Sequence, residues 1–244
     1  MQTNTELQKA VYHQMVRDPN QLLREDLIAK KTLDVEKALK NGDFDFSKSS
    51  IMIINKNGKK RFVKQYDEIC GTESILCQYI KQILDRTFKV KYPNRNKTTK
   101  LLFNTILLLK DMQSFTIVKF DFKDYFNTVS ATYVFEKYMK SNLQDRNEID
   151  LIENYINDTE YTYAGLCTSN VIAEIIAEKF DEQIQKLLFS KGIIFYTRYV
   201  DDGIMIIDDV IGEEEIKNIL NIALNNTYHD KNVSCKARCK TQFN

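Results

Sequence analysis

Arg198-Tyr199-Val200-Asp201-Asp202-Gly203 places two carboxylates side by side between two β-forming runs, Ile193 to Tyr196 and Ile204 to Ile207. The pattern predicts a hairpin with an Asp-Asp-Gly turn. Along a strand, neighbouring aspartates point to opposite faces, whereas a hairpin tip can re-aim both toward one site. Adjacent carboxylates repel unless something positive compensates them. Mg²⁺ suits that position, because it takes hard oxygen ligands, usually one or two carboxylates plus substrate phosphates. An acidic surface turn would look the same, and Asp208-Asp209, after the same apolar run, reads as a solvated strand end.

Three further groups could join such a site. The β-rich run Phe115 to Phe122 carries Asp121 near its end, where a carboxylate is offered to a cleft or simply to solvent. Asn57-Gly58 predicts a tight hairpin with Lys56, Lys59, Lys60 and Arg61 at and beside its tip. Lysine point charges and an arginine fork there could hold a triphosphate, or could only keep the tip soluble. Gly165 to Asn170 leads into a helix, with Ser169 or Asn170 as N-cap, and a helix start can present backbone N–H groups to a ligand or need none. His229, Cys235 and Cys239 could be zinc ligands but lack a fourth.

The elements that must position these residues are mixed. Residues 1–40 read as helical, ending at Asn41-Gly42. A helix capped by Thr72 buries Ile75, Tyr79, Ile80 and Ile83, and an apolar helix lies near Leu101 to Leu109. Ser130 caps a helix after the Asp121 strand, and an acidic helix covers about 145–160. Ile172, Ile176, Phe180, Ile184 and Leu188, four apart, predict a long amphipathic helix, followed later by a helix over about 212–226 and the segment Val233 to Phe243.

The 244 residues can bury a substantial core, and 43% hydrophobic with 28% charged residues is ordinary for a globular protein. No signal peptide and no membrane-length apolar run is visible, so no membrane partner is expected. Five cysteines without a framework suggest reduced thiols in a cytoplasm. The net charge of +1 hides an asymmetry: residues 51–100 carry twelve Lys and Arg against four acids, while residues 201–230 carry eight acids and one base. A polyanion held by one part and metals by another would suit that distribution.

In this order the motifs resemble those of a reverse transcriptase. Tyr199-Val200-Asp201-Asp202 matches the family's Tyr-x-Asp-Asp hairpin, and Asp121 to Phe126 matches the strand-end motif with the first catalytic aspartate. The basic hairpin resembles the fingers element, Gly165 to Asn170 the loop before the palm helix, and Lys240-Thr241 the terminal palm motif. Tyr92-Pro93-Asn94-Arg95-Asn96 and Leu166 to Asn170, followed by Ala173-Glu174 and Ala177-Glu178, look like the bacterial abortive-infection group. Ordinary retroelement enzymes have Pro-Gln-Gly where this chain has Cys167-Thr168-Ser169. That loop normally supports the template and nascent base pair; the resemblance to the abortive-infection group implies DNA synthesis free of template and nucleic-acid primer, in phage defence.

The implied fold is α+β, a right-hand polymerase with an antiparallel sheet and packed helices: an N-terminal helical segment over 1–50, fingers over 51–114 and palm over 115–244. The chain stops three residues after Thr241, so the resemblance implies that a thumb and C-terminal part are missing and that the chain self-associates. The implied chemistry is nucleotidyl transfer of dNTPs by two Mg²⁺ ions, or Mn²⁺, held by Asp121, Asp201 and Asp202. Lys240 would protonate pyrophosphate. Lys56, Arg61, Phe122, Asp124, Tyr125, Phe126, Thr168 and Ser169 would bind the nucleotide, with Phe126 as the steric gate against a 2′-hydroxyl. Arg95, Gly165, Asn170 and Tyr199 would lie near template and primer. DNA or RNA, and a protein primer, are the implied partners. Rivals are an ordinary retroelement enzyme, an RNA-directed RNA polymerase, a nucleotide cyclase and a weak or inactive nucleic-acid-binding or assembly module. The polymerase rival favours Gly-Asp-Asp, and the cyclase lacks the basic hairpin.

Overall fold

The computed structural model describes residues 2–56, 59–228 and 233–243, with side chains described except at 2–4, 56, 59, 61 and 241–243. The chain forms two compact units, Met1–Val90 with Ser130–Ile172, and Lys91–Val129 with Ala173–Asn244. Mixed α and antiparallel β structure fills both.

In the first unit, α1 (Gln2–Arg17) and α2 (Glu25–Asn41) are separated by a break around Pro19. The hairpin strands β1 (Ser50–Lys56) and β2 (Lys59–Gln65) follow, antiparallel in register from Ser50↔Gln65 to Lys56↔Lys59. Asn57 and Gly58, at the expected turn, lie outside the described residues. The hairpin runs further than expected, and Ile51 to Ile54 are all exposed, so its pairing does not rest on burial of one face. In α3 (Thr72–Phe88) Ile75, Tyr79, Ile80 and Ile83 are buried as their spacing required. Its N-cap is Gly71, one residue before Thr72, and the Ser74 hydroxyl bonds the Glu68 carbonyl at 2.7 Å.

The second unit opens with α4 (Arg95–Leu108), capped by the Asn94 side chain, which accepts from the Lys97 N–H at 3.0 Å. This apolar helix buries none of its own residues. β3 (Ser114–Lys123) alternates buried Val118, Phe120 and Phe122 with exposed Lys119, Asp121 and Lys123. It leads into a single turn, α5 (Tyr125–Thr128). The chain then returns to the first unit with α6 (Ala131–Val134), where the expected cap holds: Ser130 Oγ accepts from the Tyr133 N–H at 3.2 Å. There α7 (Arg146–Thr159), capped by Asp145, is the acidic helix expected near 145–160.

The long helix α8 (Cys167–Leu187) starts earlier than its sequence suggests. Ser169 and Asn170 sit inside its first turn rather than capping it, and the Ser169 hydroxyl reaches back to the Tyr163 carbonyl at 2.5 Å. The four-apart apolar row is buried, and Phe180 packs edge-on against Phe120 and Phe122 at 6.0 and 5.1 Å. β4 (Ile193–Tyr199), β5 (Asp202–Ile207), α9 (Glu213–Thr227) and β6 (Ser234–Phe243) complete the chain. The second unit's sheet has the order β4-β5-β3-β6 with antiparallel pairing throughout. No described helix is long and apolar enough to cross a membrane.

Candidate active site

The Asp-Asp hairpin forms, with its turn displaced from the expected Asp-Asp-Gly. Tyr199 pairs with Asp202, so Val200 and Asp201 are the two turn residues and Asp202 begins β5. Among the turn residues only Val200 has positive φ, at 57°, the pattern of a type II′ turn. Glycine normally takes that place, and a β-branched residue there carries about 1–3 kcal/mol of strain. Asp202 and Gly203 continue in strand geometry because they pair with β3 as well as β4. Gly203 has a steric role: a Cβ there would meet the Phe120 ring at 2.0 Å.

Register then decides which acids meet. Asp202 stands directly opposite Asp121 across β5 and β3, on the exposed face of the sheet. The Asp201 carbonyl accepts from the Phe122 N–H at 3.0 Å, docking the turn onto the end of β3. Lys119, two residues before Asp121 and on its face, reaches Asp202 at 3.5 Å. On the other side of β3, Asp121 pairs with Lys236 and Lys119 with Arg238. Lys240 stands opposite Ile117, four residues along β6 from Lys236, about 13 Å at a strand's rise. A cleft of about 610 Å³ is lined by Asp121, Asp202, Lys119, Lys217, Lys236 and Arg238 among others. Along the chain Lys236 and Arg238 have no evident role; only the β3–β6 register, a long-range pairing, sets them beside the acids.

The remaining expected site residues divide between the units. In the second, Arg95 stacks its guanidinium 5.8 Å from the centre of the exposed Tyr199 ring. Asp124, at φ 50°, accepts from the Asn127 side chain at 2.7 Å, and Phe126, half-buried, lies against Tyr125. Phe122 and Tyr125 are buried; the Tyr125 hydroxyl bonds the Ala173 carbonyl at 3.1 Å and the Tyr228 hydroxyl at 2.8 Å. Burial holds both phenols above their ordinary pKa. In the first unit, the loop before α8 is pinned to the basic hairpin. Lys64 N–H donates to the Ala164 carbonyl at 2.7 Å, and Gly165, at φ 106°, leaves no room for a Cβ, which would meet Val63 Cγ1 at 2.4 Å. Thr168 is buried between Tyr155 and Cys77, and Ser169 is buried too. The Asn170 side-chain oxygen is buried with no hydrogen-bond partner among the described residues. The side chains of Lys56 and Arg61, like all of His229, lie outside the described residues; the two strand residues sit at and beside the end of the hairpin, opposite Lys59 and Ile54.

Among the described residues no group of three or more His, Cys, Asp or Glu side chains gathers as a metal cluster, the Cys235–Cys239 pair included. Two opposed carboxylates with a third acid in the adjoining turn still fit Mg²⁺, whose other ligands come from water and substrate phosphates. Asp208 is exposed, and Asp209 pairs with Lys191 at 3.2 Å, which holds its carboxyl below the usual range.

No protein-family profile and no curated protein sequence matches the chain. Solved structures do. Telomerase from Candida albicans, in complex with a TWJ fragment of telomeric RNA, superposes with TM-score 0.53 and 12% identity over 86% of this chain and 46% of that one. The corresponding Candida tropicalis complex gives 0.52 and 12% over 86% and 44%, and the apo Candida tropicalis enzyme 0.50 and 13% over 87% and 48%. The chain therefore spans under half the length of these structures. Its fold is that of a reverse-transcriptase-type polymerase, of the fingers-and-palm kind.

Proposed function

We propose that the chain is the fingers-and-palm part of a reverse-transcriptase-type DNA polymerase that joins dNTPs by nucleotidyl transfer. The carrying observation is the register of Asp121 against Asp202, with Asp201 in the adjoining turn, inside a cleft rimmed by lysine and arginine. In this reading residues 51–114 act as fingers, 115–244 as palm and 1–50 as a helical lead-in. Asp121, Asp201 and Asp202 hold two Mg²⁺ ions, or Mn²⁺, which supply Lewis-acid activation of a hydroxyl and stabilisation of departing pyrophosphate. The chain's own residues do the rest. Lys56 and Arg61 draw in the triphosphate, and Phe126 excludes a 2′-hydroxyl. Lys236, Arg238 and Lys240, alternating along β6, neutralise charge around the acids, with Lys240 or Lys236 as proton donor.

DNA or RNA, held along the cationic surface with Arg95 and Tyr199, is the polymeric partner. The telomerase structures, solved with telomeric RNA, support that choice. Cys167-Thr168-Ser169, together with Tyr92 to Asn96, supports synthesis without a template, from a protein primer, in anti-phage defence. The exposed ion pair between Lys119 and Asp202 favours a second reading, in which a lysine stands in the metal's place and the chain only binds nucleic acid or assembles.

The test is incorporation of labelled dNTPs with Mg²⁺ or Mn²⁺, with and without added template and primer. Incorporation that Asp202→Asn abolishes supports the polymerase, and incorporation without template supports the abortive-infection reading. Nucleic-acid binding without incorporation, unchanged in Asp202→Asn, would establish the second reading instead.

A further inference from the structure

Behind the acidic turn lies a buried ion cluster that the proposed chemistry does not use. Arg198, on β4, is 5% exposed at its side chain and Glu174, on α8, is 6% exposed. The guanidinium spends all five N–H groups. Nε donates to Asp181 at 3.0 and 3.2 Å, Nη2 to Glu174 at 2.7 Å and Asp181 at 3.1 Å, and Nη1 to Glu174 at 3.1 Å. The last donor goes to the Val200 carbonyl at 2.7 Å. Tyr196 adds its hydroxyl to Asp181 at 2.5 Å.

Two charged residues on one helix thus fix a cation whose remaining hydrogen bond is to the turn. Val200 is the residue held at positive φ, a conformation that a β-branched side chain resists. An unsupported Val200 would relax toward negative φ, and the two-residue turn would lose the register that sets Asp202 opposite Asp121. A lysine cannot substitute, because it lacks the planar fork that reaches three acceptors at once.

We infer that Arg198, clamped by Glu174 and Asp181, is a positioning residue: it holds the strained Val200-Asp201 turn against β3 and so keeps the acidic pair in register. The inference rests on the polymerase reading only for the purpose of that pair; the clamp itself is a claim about the turn. Its direct reporter is the Phe122 N–H, which donates to the Asp201 carbonyl and is released when the turn lifts.

The experiment measures amide hydrogen exchange and Mn²⁺ binding by electron paramagnetic resonance in the same samples. In Arg198→Lys, exchange at Phe122 should accelerate roughly tenfold or more while core amides of α3 stay protected. Asp181→Asn, a milder variant that keeps the arginine should the lysine variant fold poorly, should give an intermediate acceleration. Adding Val200→Gly should restore protection, since glycine takes positive φ without strain; a cluster that only braces α8 against β4 would not be rescued this way. Unchanged Phe122 exchange in Arg198→Lys and Asp181→Asn, or failure of Val200→Gly to restore it, overturns the clamp. The Mn²⁺ titration judges the metal reading separately: wild type and Asp202→Asn binding alike would remove that reading while the exchange data still decide the clamp.

Discussion

At the scale of single residues, the site depends on which atoms a side chain may and may not occupy. Gly203 lies under the buried Phe120 ring, so Gly203→Ala forces that ring or the strand to move. Overpacking of this kind should lower stability by about 1–3 kcal/mol, read from the urea midpoint; an unchanged midpoint would mean that the ring shifts freely. Phe126 sits one turn beyond β3, half-buried, in the place proposed for the sugar gate. Phe126→Ala should raise the use of ribonucleotides over deoxynucleotides roughly tenfold or more. Equal discrimination by parent and variant would remove Phe126 from the gate. Asp208 and Asp209 serve as the control, because one is exposed and the other is engaged by Lys191. Replacing both with Asn should leave incorporation unchanged, whereas Asp121→Asn or Asp202→Asn should lower it about a hundredfold or more, the loss of several kcal/mol of metal-borne stabilisation.

At the scale of elements, β6 shows how a register assigns roles that a motif cannot. Its exposed face carries Lys236, Arg238 and Lys240 at alternate positions, and only Lys236 is opposite Asp121. Lys236→Gln should therefore slow incorporation roughly tenfold, and Lys240→Gln less than about threefold, compared at saturating dNTP. The opposite ranking would assign the proton-donor role to Lys240. Periodicity made α3 and α8 legible from sequence, since each buries a stripe at helical spacing, whereas α7 was read from its acidic character and its buried stripe appears only in the structure. Helix starts shifted where loop residues found better partners: Ser169 bonds backward to Tyr163, which leaves the first turn free to begin at Cys167. The apolar character of α4 was legible too, but it says nothing of burial, for none of its residues is buried.

At the scale of the molecule, stability is tied to buried phenols. Burial, with the negative charge of Glu148 next, pushes Tyr79 up to about 12 from 10.0. Burial also raises Tyr155 and Tyr196 well above their ordinary range. The sign follows from linkage: below pH 10.0 both states keep these protons and the contribution is complete. Above it the unfolded chain releases them first, so stability falls as pH rises through the folded value. For Tyr79 the window runs from 10.0 to about 12. Urea midpoints measured across that window should decline, and Tyr79→Phe should flatten the decline; an identical slope in the variant would take Tyr79 out of the alkaline transition.

The sequence by itself determined the mixed helical and strand elements, the order of motifs and the buried stripes of α3 and α8, because each is written in local spacing and residue type; the α+β polymerase class and the candidate acids came from the resemblance those motifs carry. The four-apart row over 172–188 acts over neighbouring turns of one helix, where chain geometry alone restricts the outcome. Only the tertiary structure decided that Asp202 rather than Ile204 opens β5, that Asp121 faces it, and that Lys119 and Lys236 flank the pair. Those are consequences of register among β3, β5 and β6, whose paired residues lie 81 to 129 positions apart, from Asp121↔Asp202 to Ser114↔Phe243, and a slip by one would send every side chain to the other face. The Arg198 cluster was hidden for the same reason. Glu174, Asp181 and Arg198 are ordinary charges along the chain, and they become a buried clamp only when α8 and β4 meet and exclude water between them.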